Sequence, residues 1–498
     1  MDGAPRLWTF HGGLHLPDEK ALASERPIEP LPLPPRLAVP LGQHVGARAD
    51  VCVRVGERVL KGQLLGRPAG RVSAAVHAPS SGRVIAIEDR PVPHPSGLSA
   101  PCVLIETDGE DAWIEPLPPL DDYRDLDPAL VQERIRACGV VGLGGAAFPT
   151  SVKLSTGAGR PIDTLVVNGA ECEPYIACDD RLMRERPRRI LDGIAIVRHL
   201  VGARRVLIGI EDNKPAAVAA LSQALAASDL QDSARVVAIP TRYPSGGERQ
   251  LIRILTGLEV PSGGLPAELG VVCHGVGTAA AVAEAVLDGR PLIARIVTVS
   301  GRAVARAANL EVRLGTPLSA LIAQCGGYRE RPRQLVLGGP MMGFAIDDLS
   351  IPVAKTANCL LALTAAESPE PPPARPCIRC GRCAEVCPAS LLPQQLYWHA
   401  RARDLERAQA YHLFDCIECG CCSQVCPSQL PLVQYYRFAK NAVRAQRQEQ
   451  RQAELARARF AARASRLARQ EAERQARRRR GAASAVGDAP SAPDRDAP

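Results

Sequence analysis

The sequence carries one cysteine pattern twice, CIRCGRCAEVCP at 377–388 and CIECGCCSQVCP at 416–427. In each copy three cysteines are spaced three residues apart, and a fourth follows four residues later, directly before a proline. The second copy begins 39 residues after the first. Three cysteines so close together can hold one metal centre from a single tight turn. The repeat therefore predicts a small domain folded around two metal centres.

This spacing is typical of bacterial two-cluster [4Fe–4S] proteins, in which the fourth cysteine of each run binds the other cluster. The predicted ligands are Cys377, Cys380, Cys383 and Cys426 for the first cluster, and Cys416, Cys419, Cys422 and Cys387 for the second. Structural zinc is the alternative, but zinc usually takes two well-separated Cys-x2-Cys pairs, which this pattern fits badly. Cys421 is predicted to lie beside a cluster without binding it.

The net positive charge of the chain is concentrated in one segment near its carboxyl end. The chain has 498 residues and a net charge of +8, yet residues 440–480 alone carry +10 and residues 1–439 sum to zero. Aromatic residues make up 3% of the chain, too few to suggest a surface on which bases stack. The positive charge therefore belongs to an extension of a neutral body, and nucleic acid is an unlikely partner.

The distribution of the cysteines also indicates whether the protein resides in a reducing or an oxidising compartment. Of 17 cysteines, nine lie between 377 and 426, whereas a secreted disulfide protein would spread them more evenly. No signal-peptide pattern is evident at the start, and no apolar run reaches the ~18 residues of a membrane helix. We expect a reducing compartment.

The rest of the chain predicts a multidomain protein of α/β and α+β classes. Apolar runs at 164–168, 205–210 and 235–239 alternate with helical stretches, which favours a parallel, covered sheet. The predicted units are a β-rich barrel-sandwich hybrid (1–122), an α/β domain (123–260), a β-grasp module (261–365), a Pro-rich linker (366–376), a helix-rich cysteine domain (377–435) and a basic extension (436–498). The barrel resembles biotinyl and lipoyl carriers but has no lysine at the tip, residues 70–77.

Three segments of the α/β domain suggest a ligand site. GLGGAAFPTSVKL (142–154) could bring backbone N–H groups to an anion, although it is not a Walker loop. NGAECEP (168–174) follows an apolar strand, and ligands of parallel sheets bind at the carboxyl ends of strands. YPSGGE (243–248) is the third. Taken singly, each carboxylate could equally be a solvated loop residue.

Together with LGGPMMGF (337–344) and KTANCLLAL (355–363), these segments and the cysteine repeat resemble the RnfC family of the Rnf electron transport complex over about residues 5–440. Residues 125–360 are similar, more distantly, to the flavin- and NADH-binding subunit of respiratory complex I. The latter resemblance implies non-covalently bound FMN and NAD(H) as substrate. By motif it implies that Gly142, Gly144 and Lys153 hold the FMN phosphate side, that Asn168, Glu171 and Glu248 contact the flavin, that Phe148 stacks on NADH and that Glu173 lies near the nicotinamide.

Three departures from the complex I pattern stand at flavin-contacting positions. Ala170 replaces an Asp, Gly247 replaces a Glu, and His274–Gly275 replaces an Asn–Asn pair. Some polar contacts to the flavin are therefore expected to be replaced or lost.

The Rnf resemblance implies an enzyme subunit that passes electrons between NAD(H) and ferredoxin or another redox protein. It further implies integral membrane subunits that couple this transfer to ion movement, with the chain peripheral on the cytoplasmic side of the inner membrane. Two alternatives stay open: a soluble flavin/iron–sulfur cobalamin reductase and a non-enzymatic ferredoxin-like scaffold. The basic extension is predicted to be a solvated, partly helical segment, or else to dock on an anionic membrane surface or an acidic partner.

Overall fold

The computed structural model describes residues 6–155 and 161–487, the last seven of these by their backbone alone. Residues 7–30, which we call the N-terminal strap, join the other domains rather than the barrel. They contain α1 (Ala21–Ser24) and β1 (Ile28–Pro30). The backbone contacts of the strap include Trp8 N to Ile254 O (3.0 Å), Gly13 N to Val386 O (2.9 Å) and a bridge between Leu14 and Tyr243.

One glycine of the strap allows its close approach to the cysteine domain. Gly12 has φ +68°, and a Cβ there would lie 2.5 Å from the carbonyl carbon of Val386. The predicted barrel domain, 1–122, therefore corresponds to a barrel only after the strap, because residues 7–30 are held by contacts with later parts of the chain.

The barrel consists of two small sheets with the orders β2-β8-β7-β4 and β3-β5-β6. Every strand pairing within them is antiparallel, and apolar side chains such as Leu37, Leu65 and Ile105 are buried in its core. The strands are β2 (Arg36–Pro40), β3 (Asp50–Val51), β4 (Arg58–Val59), β5 (Leu64–Arg67), β6 (Val76–His77), β7 (Gly82–Pro91) and β8 (Ser99–Thr107).

The α/β domain has a parallel four-stranded sheet of order β11-β10-β9-β12, which confirms the predicted sheet. Its strands are β9 (Thr164–Asn168), β10 (Arg205–Glu211), β11 (Ala234–Ile239) and β12 (Val271–Gly275). The helices of this region are α2 (Pro128–Ala137), α3 (Thr150–Ser155), α4 (Cys178–Glu185), α5 (Pro187–Val201), α6 (Pro215–Ala226), α7 (Glu248–Thr256) and α8 (Val276–Leu287). Proline opens α2, α5 and α6, where its missing N–H costs no helical bond.

The region predicted to be a β-grasp module contains one mixed sheet. The sheet has the order β1-β14-β13-β17-β15-β16, so the strap supplies its edge strand, paired in parallel with β14. The elements are β13 (Ala294–Ser300), β14 (Ala308–Arg313), α9 (Leu318–Gln324), β15 (Gln334–Leu337), β16 (Phe344–Ile346) and β17 (Cys359–Leu363).

The cysteine domain repeats its backbone as well as its sequence. Arg379 and Glu418, which are equivalent in the two motifs, have φ of 57° and 59°, and Gly381 and Gly420 both have φ of 81°. The helices are α10 (Arg382–Glu385), α11 (Pro393–Arg401), α12 (Leu405–Ala410), α13 (Cys421–Gln424) and α14 (Leu432–Gly487). The helices between the two motifs agree with the helix-rich domain that the sequence predicts.

Helix α14 runs without interruption from the cysteine domain into the basic extension. Tyr436, Ala439 and Val443 are buried against the cysteine domain, and Lys440 Nζ donates to Cys416 O over 2.6 Å. The boundary predicted after residue 435 therefore falls inside the first turns of this helix, and we move it to about residue 448. No helix in the described ranges has the length and apolarity needed to cross a membrane.

This boundary can be tested with two truncations. A chain ending at Tyr435 should lower the melting temperature of the cysteine domain by at least about 5 °C, because it loses buried apolar side chains and the Lys440 bonds. A chain ending at Gln448 keeps all of these contacts and should melt within about 2 °C of the full chain. Equal melting temperatures for both truncations would contradict the new boundary.

Candidate functional site

The carboxyl edge of the parallel sheet brings two predicted segments together. Asn168 ends β9 and Gly275 ends β12, and the two residues are paired in register. The Asn168 side chain donates through Nδ2 to Gly246 O (2.8 Å), and its Oδ1 accepts from Ala170 N (3.1 Å). Asn168 thus fixes the loop after its own strand and the segment that precedes α7.

The glycine loop is anchored at both ends and open in the middle. Gly142 N donates to Phe148 O over 2.9 Å, which closes the loop, and Leu143 N donates to the Thr278 hydroxyl in the first turn of α8. Gly144 is exposed, and a Cβ added there would meet nothing within 4 Å. The loop backbone is therefore accessible to a ligand, with Phe148 half-buried at its end.

Lys153 and Glu248 meet in an ion pair. Lys153 lies on α3 and Glu248 begins α7, and Nζ and Oε1 are 2.6 Å apart. Both side chains are about one-third exposed, at 32% and 41%, so the pair is reachable from solvent.

His274 lies one residue before the end of β12 and is 6% exposed. Its Nε2 has no hydrogen-bond partner among the residues that the structure describes. Burial, helped by the nearby charge of Lys153, lowers the His274 pKa to about 3, so the ring is neutral at physiological pH. This ring nitrogen is therefore available to a hydrogen-bond partner, since buried polar groups are nearly always bonded.

Glu171 lies in the same loop but turns its side chain toward α4. Its φ is +48°, and its carboxylate accepts from Asp179 N (2.6 Å) and Asp180 N (3.3 Å) at the start of that helix. Burial raises the Glu171 pKa to about 7, against the lowering effect of Lys20. The carboxylate therefore holds the loop on α4.

Glu173 is also bonded to backbone. Its two oxygens accept from Met341 N (3.1 Å) and Met342 N (2.8 Å), within the LGGPMMGF segment. Burial raises its pKa to about 7, while these two N–H groups favour the charged form. Glu173 thus ties the loop to the β-grasp module.

Two further residues organise the site, and the sequence interpretation had missed them. Lys20 of the strap is 6% exposed and donates from Nζ to the carbonyl oxygens of Glu171 (2.7 Å), Glu173 (2.9 Å) and Ile176 (2.6 Å). A lone lysine far from any motif gives no signal that it will reach these atoms.

Tyr243 is the second. Its hydroxyl donates to Cys419 O over 2.7 Å, and burial raises its pKa well above the ordinary value. The YPSGGE segment containing it had been identified, but its contact with the cysteine domain had not. A direct hydrogen bond therefore joins the segment beside the sheet edge to a predicted cluster ligand.

The eight predicted ligand cysteines line two separate cavities. One cavity, of about 410 Å³, is lined by Cys377, Cys380, Cys383 and Cys426. A second, narrower one is lined by Cys387, Cys416, Cys419 and Cys422. Each cavity thus takes three thiols from one motif and the fourth from the other, a donor set that suits an iron–sulfur cluster.

Backbone N–H groups also approach the sulfurs, with Leu391 N 3.4 Å from Cys387 Sγ and Glu418 N 3.4 Å from Cys416 Sγ. Hydrogen bonds to sulfur are among the features that tune such clusters. Cys421, predicted to be a bystander, is buried and lies outside the residues lining the second cavity.

Two of the three sequence departures have a physical reason. Ala170 is fully buried in an apolar cluster, where a carboxylate would be desolvated. A side chain at Gly247 would collide with the amide oxygen of Gln250, whose Nε2 donates to Pro388 O in the cysteine domain. His274, at the third departure, offers its free ring nitrogen instead.

The comparisons with known proteins agree with this architecture. Family models match four segments in order: RnfC barrel sandwich hybrid domain (8–110), Nuo51 FMN-binding domain (135–284), SLBB domain (296–345) and 4Fe-4S dicluster domain (376–430). RnfC of the ion-translocating oxidoreductase complex of Pseudomonas aeruginosa PAO1 is 54% identical over 472 residues, which cover 95% of this chain and 60% of that protein. The RnfC proteins of Salmonella typhimurium LT2 and Salmonella gallinarum are each 49% identical over 493 residues; these cover 99% of this chain and 65% and 72% of theirs.

The chain belongs to the RnfC family. Its matched segments confirm the predicted order of barrel-sandwich, flavin, β-grasp and cluster units, so it carries an FMN-binding domain and a 4Fe-4S dicluster domain. The chain spans 60% and 65% of the length of the first two RnfC relatives.

Proposed function

We propose that the chain is the NAD(H)-linked electron-transfer subunit of an ion-translocating membrane complex, with non-covalently bound FMN and two [4Fe–4S] clusters. The observation that carries the proposal is the hydrogen bond from Tyr243 to Cys419 O. It joins the edge of the flavin-type sheet to one of two four-cysteine cavities within a single packed unit.

The fit to FMN rests on this chain's own groups. The open backbone at Gly144, in the loop that Gly142 closes, suits the phosphate side together with Lys153. Asn168, Glu248 and the Nε2 of His274 suit the polar edge of a flavin. FMN would supply two-electron exchange with NAD(H) and single-electron exchange with the clusters. Phe148 would stack on the dinucleotide.

The two glutamates have different roles in this proposal. Glu171 and Glu173 hold the loop after β9 in place through backbone N–H groups, together with Lys20. Glu171 would then contact the flavin through its backbone, and Glu173 would fix the nicotinamide side of the site by positioning its loop.

Each cluster would be held by crossed cysteines, as the lining of the two cavities suggests. Cys377, Cys380, Cys383 and Cys426 would bind one, and Cys416, Cys419, Cys422 and Cys387 the other. Ligation requires the thiolate, and burial raises the pKa of Cys416 to about 11, so cluster binding would displace a proton there.

The partners would be integral membrane subunits that couple the electron transfer to ion movement, and ferredoxin or another redox protein. The chain would then sit peripherally on the cytoplasmic side of the inner membrane. The Pseudomonas aeruginosa relative is a subunit of an ion-translocating oxidoreductase complex, which supports this assignment.

The direct test uses the full chain loaded with FMN, iron and sulfide. NADH should bleach the cluster absorbance, and His274→Ala should weaken FMN binding at least about tenfold, because a buried hydrogen bond to the flavin is lost. Flavin fluorescence quenching measures the binding.

Cys273→Ala is the matched control, since Cys273 is the adjacent buried residue of the same strand and points to the other face. It should change the FMN affinity by less than about threefold. A loaded chain that binds no flavin, or whose clusters NADH never bleaches, would support the ferredoxin-like scaffold instead.

A further inference from the structure

The two cysteine motifs have the same backbone but face different surroundings. In the second motif Glu418 is ion-paired with Arg437 (2.9 Å) and Lys440 (2.7 Å), and Cys421 is fully buried. Met341 and Tyr243 pack over this second loop. The loop of the second motif is thus covered by residues from other parts of the chain.

The equivalent positions of the first motif are arginines. Arg379 corresponds to Glu418 and Arg382 to Cys421, and both arginines are exposed and line the first cavity. Neither guanidinium makes an ion pair with any residue of the described ranges. The first motif therefore exposes two unpaired positive charges to solvent. At the equivalent positions of the second motif, Glu418 is ion-paired and Cys421 is buried.

Apolar side chains stand beside these charges. Ile378 is 68% exposed and Trp398 is 43% exposed, and both line the same cavity. Arg401 lies over the Trp398 ring at 5.5 Å from the centroid. Exposed Trp and Ile ringed by Arg is the composition of a protein-docking centre rather than of an ordinary solvated surface.

We propose that Ile378, Arg379, Arg382, Trp398 and Arg401 form a docking surface for an acidic protein that carries its own one-electron centre. This rests on the proposed function, since it takes the adjacent four-cysteine cavity to hold a cluster. Such a partner suits this position because Cys380 at the first cavity is exposed, whereas its equivalent at the second, Cys419, is buried in contact with Tyr243. Because the surface carries three arginines, charge complementarity requires a negatively charged surface on the partner.

The experiment measures binding of an acidic two-[4Fe–4S] bacterial ferredoxin to the full, cluster-loaded chain. The charge reversal R379E/R382E should weaken the Kd at least about tenfold at low salt, and the wild-type affinity should fall as salt rises. The tail variant R459E/R463E changes the total charge equally and should alter the Kd less than about twofold.

Trp398→Ala provides a second variant that leaves the cysteine loops untouched, and it should weaken binding as well. Equal loss in the tail variant, or no loss in both R379E/R382E and Trp398→Ala, would overturn the proposal. Anionic lipid vesicles that bind through Arg379 and Arg382 would overturn it too. The binding assay contains no NADH. If NADH fails to bleach the clusters, the proposed function is contradicted, but the measured ferredoxin affinity still tests the docking surface.

Discussion

Replacing Cys387 should remove the cluster held mainly by the other motif. In the crossed arrangement, Cys387→Ala together with Cys419→Ala damages one site, so about four of about eight irons should remain per chain. Cys387→Ala together with Cys383→Ala damages both sites and should leave almost no iron, although Cys383 is much nearer in sequence.

Ligation within each motif predicts the opposite outcome for the two double variants. Iron and sulfide analysis of the purified chain, with electron paramagnetic resonance of the reduced protein, distinguishes them. Cys421→Ala is the control, since Cys421 is buried beside the ligands but does not line the second cavity, and it should retain about eight irons. Loss of all iron in Cys387→Ala/Cys419→Ala would reject crossed ligation.

Lys20→Met should destabilise the α/β domain by about 3–5 kcal/mol, because three buried carbonyl groups lose their common donor and Glu171 loses a nearby positive charge. The loop after β9 would then be free to move, and FMN affinity should fall with stability. Urea denaturation followed by tryptophan fluorescence and FMN titration measure the two effects.

Arg302→Ala is a suitable control for Lys20→Met. Arg302 pairs with Glu19, the neighbour of Lys20, over 3.0 Å, but its side chain is 57% exposed. Such surface pairs contribute at most about 1 kcal/mol. A Lys20→Met variant no less stable than Arg302→Ala would show that the strap does not hold the loop.

Local patterns predicted most of the fold. Alternation of apolar runs and helical stretches gave the parallel sheet, because a covered strand and an amphipathic helix each leave their own periodicity in a few residues. The cysteine spacing predicted the grouping of thiols that line the two cavities, since a tight turn and a displaced fourth ligand are also local features.

Contacts between distant segments could not be predicted in this way. Lys20 lies outside every motif. His274 and Tyr243 fall in segments that the sequence singles out, but their burial and their partners depend on how the domains pack. The end of the cysteine domain could not be predicted for another reason. Helix α14 continues past Val443, the last buried residue, with the same helix-forming composition. No change in composition therefore marks the point where the buried contacts stop.

The N-terminal strap has a consequence for biosynthesis. His11 Nδ1 bonds to Cys387 O, a partner 376 positions later in the chain. At the usual rates of translation, the strap must wait roughly 20–75 s on the ribosome before that partner has been made. The bonds of His11 and Gly13 to the cysteine domain therefore form late, although the strap's partners in β14 and the α/β domain are made earlier.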